Sequence, residues 1–393
     1  MAKLSVEQLD VAGKTVLVRV DFNVPLDSGR VTDDTRIVAA LPTIRHLIER
    51  GARVVLMSHL GRPKGQRKPE LSLEPVARRL SELLGSPVAF SPEVIGEGAQ
   101  QAVAALQPGG VLLLENLRFH PEEEKNDPDF AKALAALADC YVSDAFGTVH
   151  RAHASTEGVA RRFPQAAAGF LIAKELEYLG QTLVKPKRPF VAVLGGAKVG
   201  DKIGVIQALL KRADSVLIGG AMAYTFLKAQ GRSIGKSLLD EPHLELARTL
   251  LAEAPKQGKA LLLPIDHRVG AEISPQTQAE ECGIEIPADR IGLDIGPATA
   301  TAYAQAIKRA KLVVWNGPMG MFELPAFAEG TFVVARAMAE TAAITIVGGG
   351  DSVAAVNQAG VADRISHIST GGGASLEFLE GRKLPGIEVL TNV

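Results

Sequence analysis

Five times between Phe190 and Leu379 an apolar run of strand length stops at glycine. Val191 to Leu194 runs into Gly195-Gly196, Ser215 to Ile218 into Gly219-Gly220, and Lys311 to Trp315 into Asn316-Gly317-Pro318-Met319-Gly320. Ala343 to Val347 leads into Gly348-Gly349-Gly350-Asp351-Ser352, and His367 to Ser369 into Thr370-Gly371-Gly372-Gly373. Helical patterns succeed four of them, at Ile203 to Leu210, Met222 to Ala229, Val353 to Gln358 and Ala374 to Leu379. Strands separated by helices run parallel through crossover connections, which predicts an α/β layered sheet. Ligands of such sheets bind beyond the carboxyl ends of the strands, where these glycines lie. Bare amides and helix N-termini at that edge suit phosphate groups. Tight structural turns would give the same pattern, but five on one edge make a flat, uncharged slot fit for a nucleotide. With aromatic residues at 5%, the base is expected between glycine backbone and aliphatic side chains.

The first of these turns sits in FVAVLGGAKVGDKI, Phe190 to Ile203. Lys198 and Lys202 stand four apart, so on a helical turn they would share one face and reach one polyphosphate. No Gly-Lys-Ser/Thr occurs at the Walker spacing, and the third glycine of the dinucleotide fingerprint is missing. An ordinary strand-to-helix turn with solvated lysines is the alternative. Asp351, at a helix start, reads as an N-cap, a Mg²⁺ ligand or both. Glu323 is a candidate for ribose hydroxyls, and Trp315 for the core.

The first half alternates in the same way. Strand signals at Thr15 to Val20, Ala52 to Met57, Val111 to Leu114 and, more weakly, Cys140 to Ser143 flank helical spacing at Ile37 to Arg50 and Leu73 to Leu84. The segments beyond these strands are charged rather than bare. They are Asp21-Phe22-Asn23, Ser58-His59-Leu60-Gly61-Arg62, Glu115-Asn116-Leu117-Arg118, and Asp144 through Arg151 to His153. One sheet edge would gather His59, Arg62, Arg118 and Arg151. Arg36 joins them from the first turn of its helix, where a cation costs about 0.3–1 kcal/mol against the helix dipole. Asp33 and Asp34 are the residues expected to offset that cost. Arginine forks at several strand ends suit a small, multiply charged anion such as a phosphorylated carboxylate. A solvated basic rim is the plainer alternative. Zinc finds no support, because the histidines lack a ligand spacing. Glu122-Glu123-Glu124 reads as a solvated acidic run.

At 393 residues the chain predicts two domains. Gly169 to Leu183 has helical periodicity and ends in Lys185-Pro186-Lys187-Arg188-Pro189, which cannot continue a helix and marks the boundary. The expected arrangement is two Rossmann-like domains, each a parallel sheet flanked by helices, joined by a hinge helix. The divisions fall at 1–170, 171–188 and 189–378. A formal net charge of −1 with no basic run disfavours nucleic acid and anionic membrane as partners. The opening MAKLSVEQLD lacks the apolar region of a signal peptide, and no apolar run has the length of a membrane span. Cys140 and Cys282, far apart, fit reduced, buried thiols in a cytoplasmic protein.

Arginines for a small anion in one half, with glycines, lysines and an acid in the other, point to phosphoryl transfer between ligands on separate domains. No general base stands out. A carboxylate acceptor, already ionised at pH 7, needs none. An unrelated carboxylate kinase needs fewer arginines; a catalytically silent nucleotide-binding protein does not need Lys198, Arg36 and Asp351 together.

VDFNVP at Val20, SHLGRPKG at Ser58, LENLRFHPEEE at Leu114 and SDAFGTVHRAHAS at Ser143 resemble the phosphoglycerate kinase family. LGGAKVGDKI at Leu194, WNGPMGMFE at Trp315, GGGDS at Gly348 and STGGGASLEFLEG at Ser369 are similar to it as well. The blocks span nearly the whole chain, in order. The resemblance implies reversible transfer between MgATP and 3-phosphoglycerate in glycolysis, by a monomer. It implies a 3-phosphoglycerate site of Asp21, Asn23, Arg36, His59, Arg62, Arg118 and Arg151, with Arg36 and Lys198 neutralising the phosphoryl group in flight. For the nucleotide it implies Gly196, Ala197, Lys202, Gly219, Gly220, Gly292, Leu293, Asn316, Pro318 and Glu323, with Gly349, Gly350, Asp351 and Ser352. Asp351 would meet the metal, and Gly371, Gly372 and Gly373 would form a loop facing the transferring phosphate. A C-terminal segment, 379–393, is implied to pack back on the first domain. Val149, Ala173 and Ala221 depart from the family pattern without removing a charge from either site.

Overall fold

The computed structural model describes residues 2–393, apart from the side chains of Gln181 and Leu183. The chain forms two compact units, one holding everything up to Glu177 together with Lys383–Val393, the other Tyr178–Arg382.

The first unit is built on β1 (Thr15–Val20), β2 (Arg53–Met57), β3 (Val88–Ser91), β4 (Val111–Leu114), β5 (Cys140–Asp144) and β6 (Ala166–Ala168), all parallel in the order β3-β4-β2-β1-β5-β6. Val111–Leu114 is buried along its whole length, as a strand covered on both faces must be. Neither edge strand is signalled by the sequence pattern: β6 is three alanines, with no β-branched residue to mark a strand. Helix α1 (Thr35–Glu49) comes after β1, and α2 (Glu74–Leu84) comes after β2 and stops at Gly85, whose φ of 70° is left-handed. The Leu4 N–H donates to the Thr391 carbonyl at 2.8 Å, and the Thr391 N–H to that of Ala166 at 3.0 Å. These bonds tie the last residues beside β6.

Helix α3 (Phe170–Leu183) starts in this unit and is held there by side chains. Asp144 Oδ1, at the end of β5, accepts from the Leu171 N–H at 2.9 Å, and Thr43 Oγ1 of α1 accepts from Phe170 N–H at 2.9 Å. Gly169 is required, because a Cβ there would lie 2.3 Å from Asp144 Oδ1.

The second unit centres on β7 (Phe190–Leu194), β8 (Ser215–Ile218), β9 (Ala260–Leu262), β13 (Leu312–Asn316), β14 (Ile344–Gly348) and β15 (His367–Ile368). They run parallel in the order β9-β8-β7-β13-β14-β15. The five glycine-ended strands are therefore consecutive neighbours. A three-stranded antiparallel sheet of β10 (His267–Gly270), β11 (Glu280–Cys282) and β12 (Ile291–Ile295), ordered β11-β10-β12, was not expected. Its Glu-Glu-Cys strand carries no apolar alternation to find it by. Helices α4 (Ile203–Arg212), α5 (Met222–Ala229), α6 (Gly350–Gln358) and α7 (Gly373–Leu379) come after β7, β8, β14 and β15. Trp315 is fully buried in the core, its Nε1 donating to the Gly317 carbonyl at 2.7 Å.

Two expectations fail locally. Lys198 lies in an irregular loop before α4, so it and Lys202 do not share a helical face. Cys282 is only half-buried, whereas Cys140 is buried.

Candidate functional site

In the first unit β4, β2, β1 and β5 are neighbours, so their charged ends converge. Arg36 Nη1 lies 3.2 Å from both oxygens of Asp21 and 3.1 Å from the Asn23 carbonyl. Asp21 therefore offsets the unfavourable helix position of Arg36. The expected partners are engaged elsewhere: Asp33 accepts from the Thr35 N–H and hydroxyl, and Asp34 pairs with Arg79. Asn23 Oδ1 takes the Gly61 N–H at 2.8 Å, drawing the loops after β1 and β2 together. Arg118 is buried, with Nη1 2.8 Å from the Gly61 carbonyl and Nε 3.3 Å from Glu124 Oε1. Arg151 Nε sits 3.1 Å from His150 Nε2. Arg62 is exposed and forms no ion pair among the described residues.

His59 lies in the middle of these cations, its Nδ1 3.2 Å from Arg19 Nη2 and 4.0 Å from Asp21 Oδ1. Burial, and then the charges of Arg19, Arg118, Arg36 and Arg151, hold its imidazole neutral, far below the ordinary histidine range. The arginine charge is thereby kept for an incoming anion.

Arg19 was hidden in the apolar pattern of β1. It is 1% exposed and donates to Ser155 Oγ at 2.8 Å. Glu123, expected in a solvated run, is fully buried and accepts from the Ser155 N–H at 2.9 Å and hydroxyl at 2.5 Å. Burial raises the Glu123 carboxyl, against the Arg19 charge and the Ser155 bonds. Of the three, only Glu124 is exposed and Glu122 is half-buried; a single tripeptide gave no signal that its middle residue turns inward. His153, from the charged segment after β5, is lowered to about 4 by burial and then by Arg19 and Arg118.

The second unit carries a cavity of about 450 Å³ at the ends of its central strands. Gly196, Ala197, Gly220, Gly292, Leu293, Pro318, Glu323 and Asp351 line it, among the residues expected for a nucleotide. Sequence reasoning missed its apolar wall, Tyr224, Leu238, Ile273 and Met321, for which spatial placement is the only signal. Backbones meet closely here: a Cβ on Gly220 would lie 2.5 Å from Gly196 N, and one on Gly292 2.4 Å from the Tyr224 ring. Glycine thus makes the slot.

Other expected residues stand behind the cavity. Lys202 Nζ donates to the carbonyls of Gly195 at 2.6 Å and Asn316 at 2.9 Å. Burial lowers its pKa to about 8, against the charges of Asp351 and Asp201. Gly219 packs on Met319, where a Cβ would lie 2.5 Å from sulfur. Ser352 Oγ accepts from the Gly317 N–H at 2.6 Å. Asn316 Nδ2 is buried without a hydrogen-bond partner, and a Cβ on Gly349 would come within 3.0 Å of it. Gly350 opens α6. Gly371–Gly373 lie past the edge strand β15 and line none of that cavity.

Lys198 is exposed between Gly196 and Gly200. The Gly200 N–H donates to Asp240 Oδ2 at 2.9 Å, and Asp240 Oδ1 is 2.8 Å from His243 Nδ1. Burial works to raise the Asp240 carboxyl, but these bonds and the charges of His243 and Lys198 hold it below its ordinary value.

No group of three or more metal-ligating side chains occurs among the described residues. The N-cap of α6 is Gly349, so the exposed Asp351 carboxylate is not spent on capping. One free carboxylate beside a phosphate-sized slot fits a Mg²⁺ ion that takes its other ligands from nucleotide phosphates and water. No helix among the described residues is long and apolar enough to cross a membrane.

An arginine-edged parallel sheet in one unit and a glycine-edged sheet with an apolar slot in the other define an α/β phosphotransferase. The chain belongs to the phosphoglycerate kinase family, whose model matches residues 6–382. It is 60% identical over 392 residues to phosphoglycerate kinase of Moorella thermoacetica, covering 100% of both chains. It is 59% identical over 394 residues to that of Anaeromyxobacter sp. strain K, covering 99% of each. Among solved structures, phosphoglycerate kinase from Coxiella burnetii aligns with a TM-score of 0.91 at 43% identity, over 99% of this chain and 98% of that one. The Pyrococcus horikoshii OT3 enzyme aligns at 0.87 with 36% identity, over 98% of each. The chain is accordingly a glycolytic kinase.

Proposed function

We propose that the chain transfers a phosphoryl group reversibly between MgATP and 3-phosphoglycerate, giving 1,3-bisphosphoglycerate and ADP. The observation that carries this reading is the convergence of Arg36, Arg118 and Arg151 around a neutral His59. Such a cluster suits an acceptor bearing both phosphate and carboxylate, with Asp21, Asn23 and Arg62 completing the site. The nucleotide lies in the glycine-lined cavity, its base against the apolar wall and its ribose near Glu323.

In the forward step an oxygen of the acceptor carboxylate bonds to the γ-phosphorus while the bond to the β-phosphate oxygen breaks, and ADP leaves. The attacking group is already ionised, so the protein positions and neutralises rather than moving a proton. Arg36 and Lys198 neutralise the charge of the group in transit, and Gly371–Gly373 serve as the loop for the transferring phosphate. Asp351 would hold the Mg²⁺ that accompanies the nucleotide, and the ion would neutralise phosphate charge. Each ligand has its own unit, so in-line transfer requires the units to close, with residues 171–188 as the hinge. The enzyme acts as a cytoplasmic monomer.

The test is an assay with MgATP and 3-phosphoglycerate, monitoring NADH loss through added glyceraldehyde-3-phosphate dehydrogenase. Turnover with 3-phosphoglycerate and none with acetate or amino acids is expected. A folded protein that binds ATP yet turns over no 3-phosphoglycerate refutes the proposal.

A further inference from the structure

We propose that Asp240, braced by His243, is a positioning residue for Lys198. The inference rests on the reading of Lys198 as a cation facing the transferred phosphoryl group. An exposed lysine on an irregular loop has many conformations to lose, and a misplacement of about 1 Å at a reacting centre can cost on the order of a hundredfold in rate. Here the loop is tied at both ends. On one side the Gly196 N–H donates to the Pro318 carbonyl at 3.2 Å, and the Gly196 carbonyl accepts from the Met222 N–H at 2.9 Å. On the other the tie is the Asp240 carboxylate, which takes the Gly200 N–H at 2.9 Å. Lys198 stands midway between the two.

Asp240 can act as a fixed post because it is itself fixed. Its own N–H donates to Thr225 Oγ1 of α5 at 3.0 Å, and its second oxygen is held by His243 Nδ1 at 2.8 Å. The imidazole packs directly on the loop: a Cβ on Gly200 would lie 2.4 Å from His243 Cε1. A side chain at position 200 would have to displace that ring. Asp240 is 9% exposed and lines none of the nucleotide cavity, so the pair acts through the backbone that carries Lys198.

The experiment compares Asp240→Ala, Asp240→Asn, His243→Ala and Lys198→Ala in the full chain, measuring kcat, both KM values and ADP affinity by calorimetry. Asparagine keeps an oxygen for the Gly200 N–H and an amide for the imidazole. Asp240→Ala should lower kcat about tenfold with ADP affinity and both KM values within about twofold, and Asp240→Asn should recover most of the loss. His243→Ala should lower kcat about two- to threefold, and it decides the matter if Asp240→Ala does not fold. Unchanged kcat in a folded Asp240→Ala or in His243→Ala, equal losses in the Ala and Asn variants, or a rise in KM at constant kcat would overturn the inference. Full activity in Lys198→Ala would instead remove the reading on which it rests.

Discussion

Lys202 Nζ lies 2.9 Å from the Asn316 carbonyl oxygen, so one ammonium closes the gap between the ends of β7 and β13. The bond sets a lysine with a pKa of about 8 behind the phosphate slot. An anionic nucleotide favours the charged form. ADP affinity should therefore fall as pH rises through about 8, and the fall should vanish in Lys202→Met. Calorimetric titrations on either side of that pH decide; parallel pH profiles for the two proteins would sink the assignment. Stability runs the other way. The folded pKa lies below the ordinary 10.5, so this residue's contribution is present above 10.5 and lost as pH falls through 8.

Arg36 and Lys198 carry the transition-state charge in the proposed step. Replacing either with alanine should lower kcat by about 10²–10³ or more, with smaller changes in KM. Because Asp21 pairs with Arg36, Arg36→Ala also leaves that carboxylate without its nearest cation. Steady-state kinetics on both variants provide the check.

Glu123 is fully buried, whereas its neighbour Glu122 is half-buried. Glu123→Ala removes a buried anion that stands against the buried Arg19, and should cost about 3–5 kcal/mol. Glu122→Ala should stay within about 0.5 kcal/mol of the parent. Urea unfolding measures both, and equal losses would contradict the burial of Glu123.

Asp144 offers a pH test of the α3 anchor. Burial pushes its carboxyl up to about 7 from 3.8, against bonds from Thr43, Ile172 and Leu171. A raised folded pKa means that its contribution is full below 3.8 and is lost as pH rises through about 7. Between 3.8 and about 7 the parent should lose stability that Asp144→Asn retains, because the amide still accepts from Leu171. Urea midpoints measured through that interval should fall with pH in the parent relative to Asp144→Asn; identical slopes would refute it.

The glycine turns and arginine loops were legible because each is local chemistry. A strand that stops at Gly195-Gly196 or at Ser58-His59 declares its cargo within a few residues. Arg19 was not legible, since one cation in an apolar strand looks like an outward-facing residue until Ser155 and Glu123 are brought to it. The wall of Tyr224, Ile273 and Met321 comes from three separate stretches and has no sequence spacing at all. Lys198 and Lys202 failed for a different reason. Their four-residue separation means a shared face only on a helix, and Gly195-Gly196 delays α4 until Ile203.

Thr391 and its neighbours are bonded to Leu4 and Ala166, yet the whole second unit is encoded between Ala166 and Thr391. On the ribosome, the first unit is therefore synthesised early but cannot make these bonds until Thr391 has emerged. The second unit, one uninterrupted stretch, emerges complete before that. A nascent chain stalled short of Lys383 thus leaves the older unit open beside β6 while the younger one has every residue it needs.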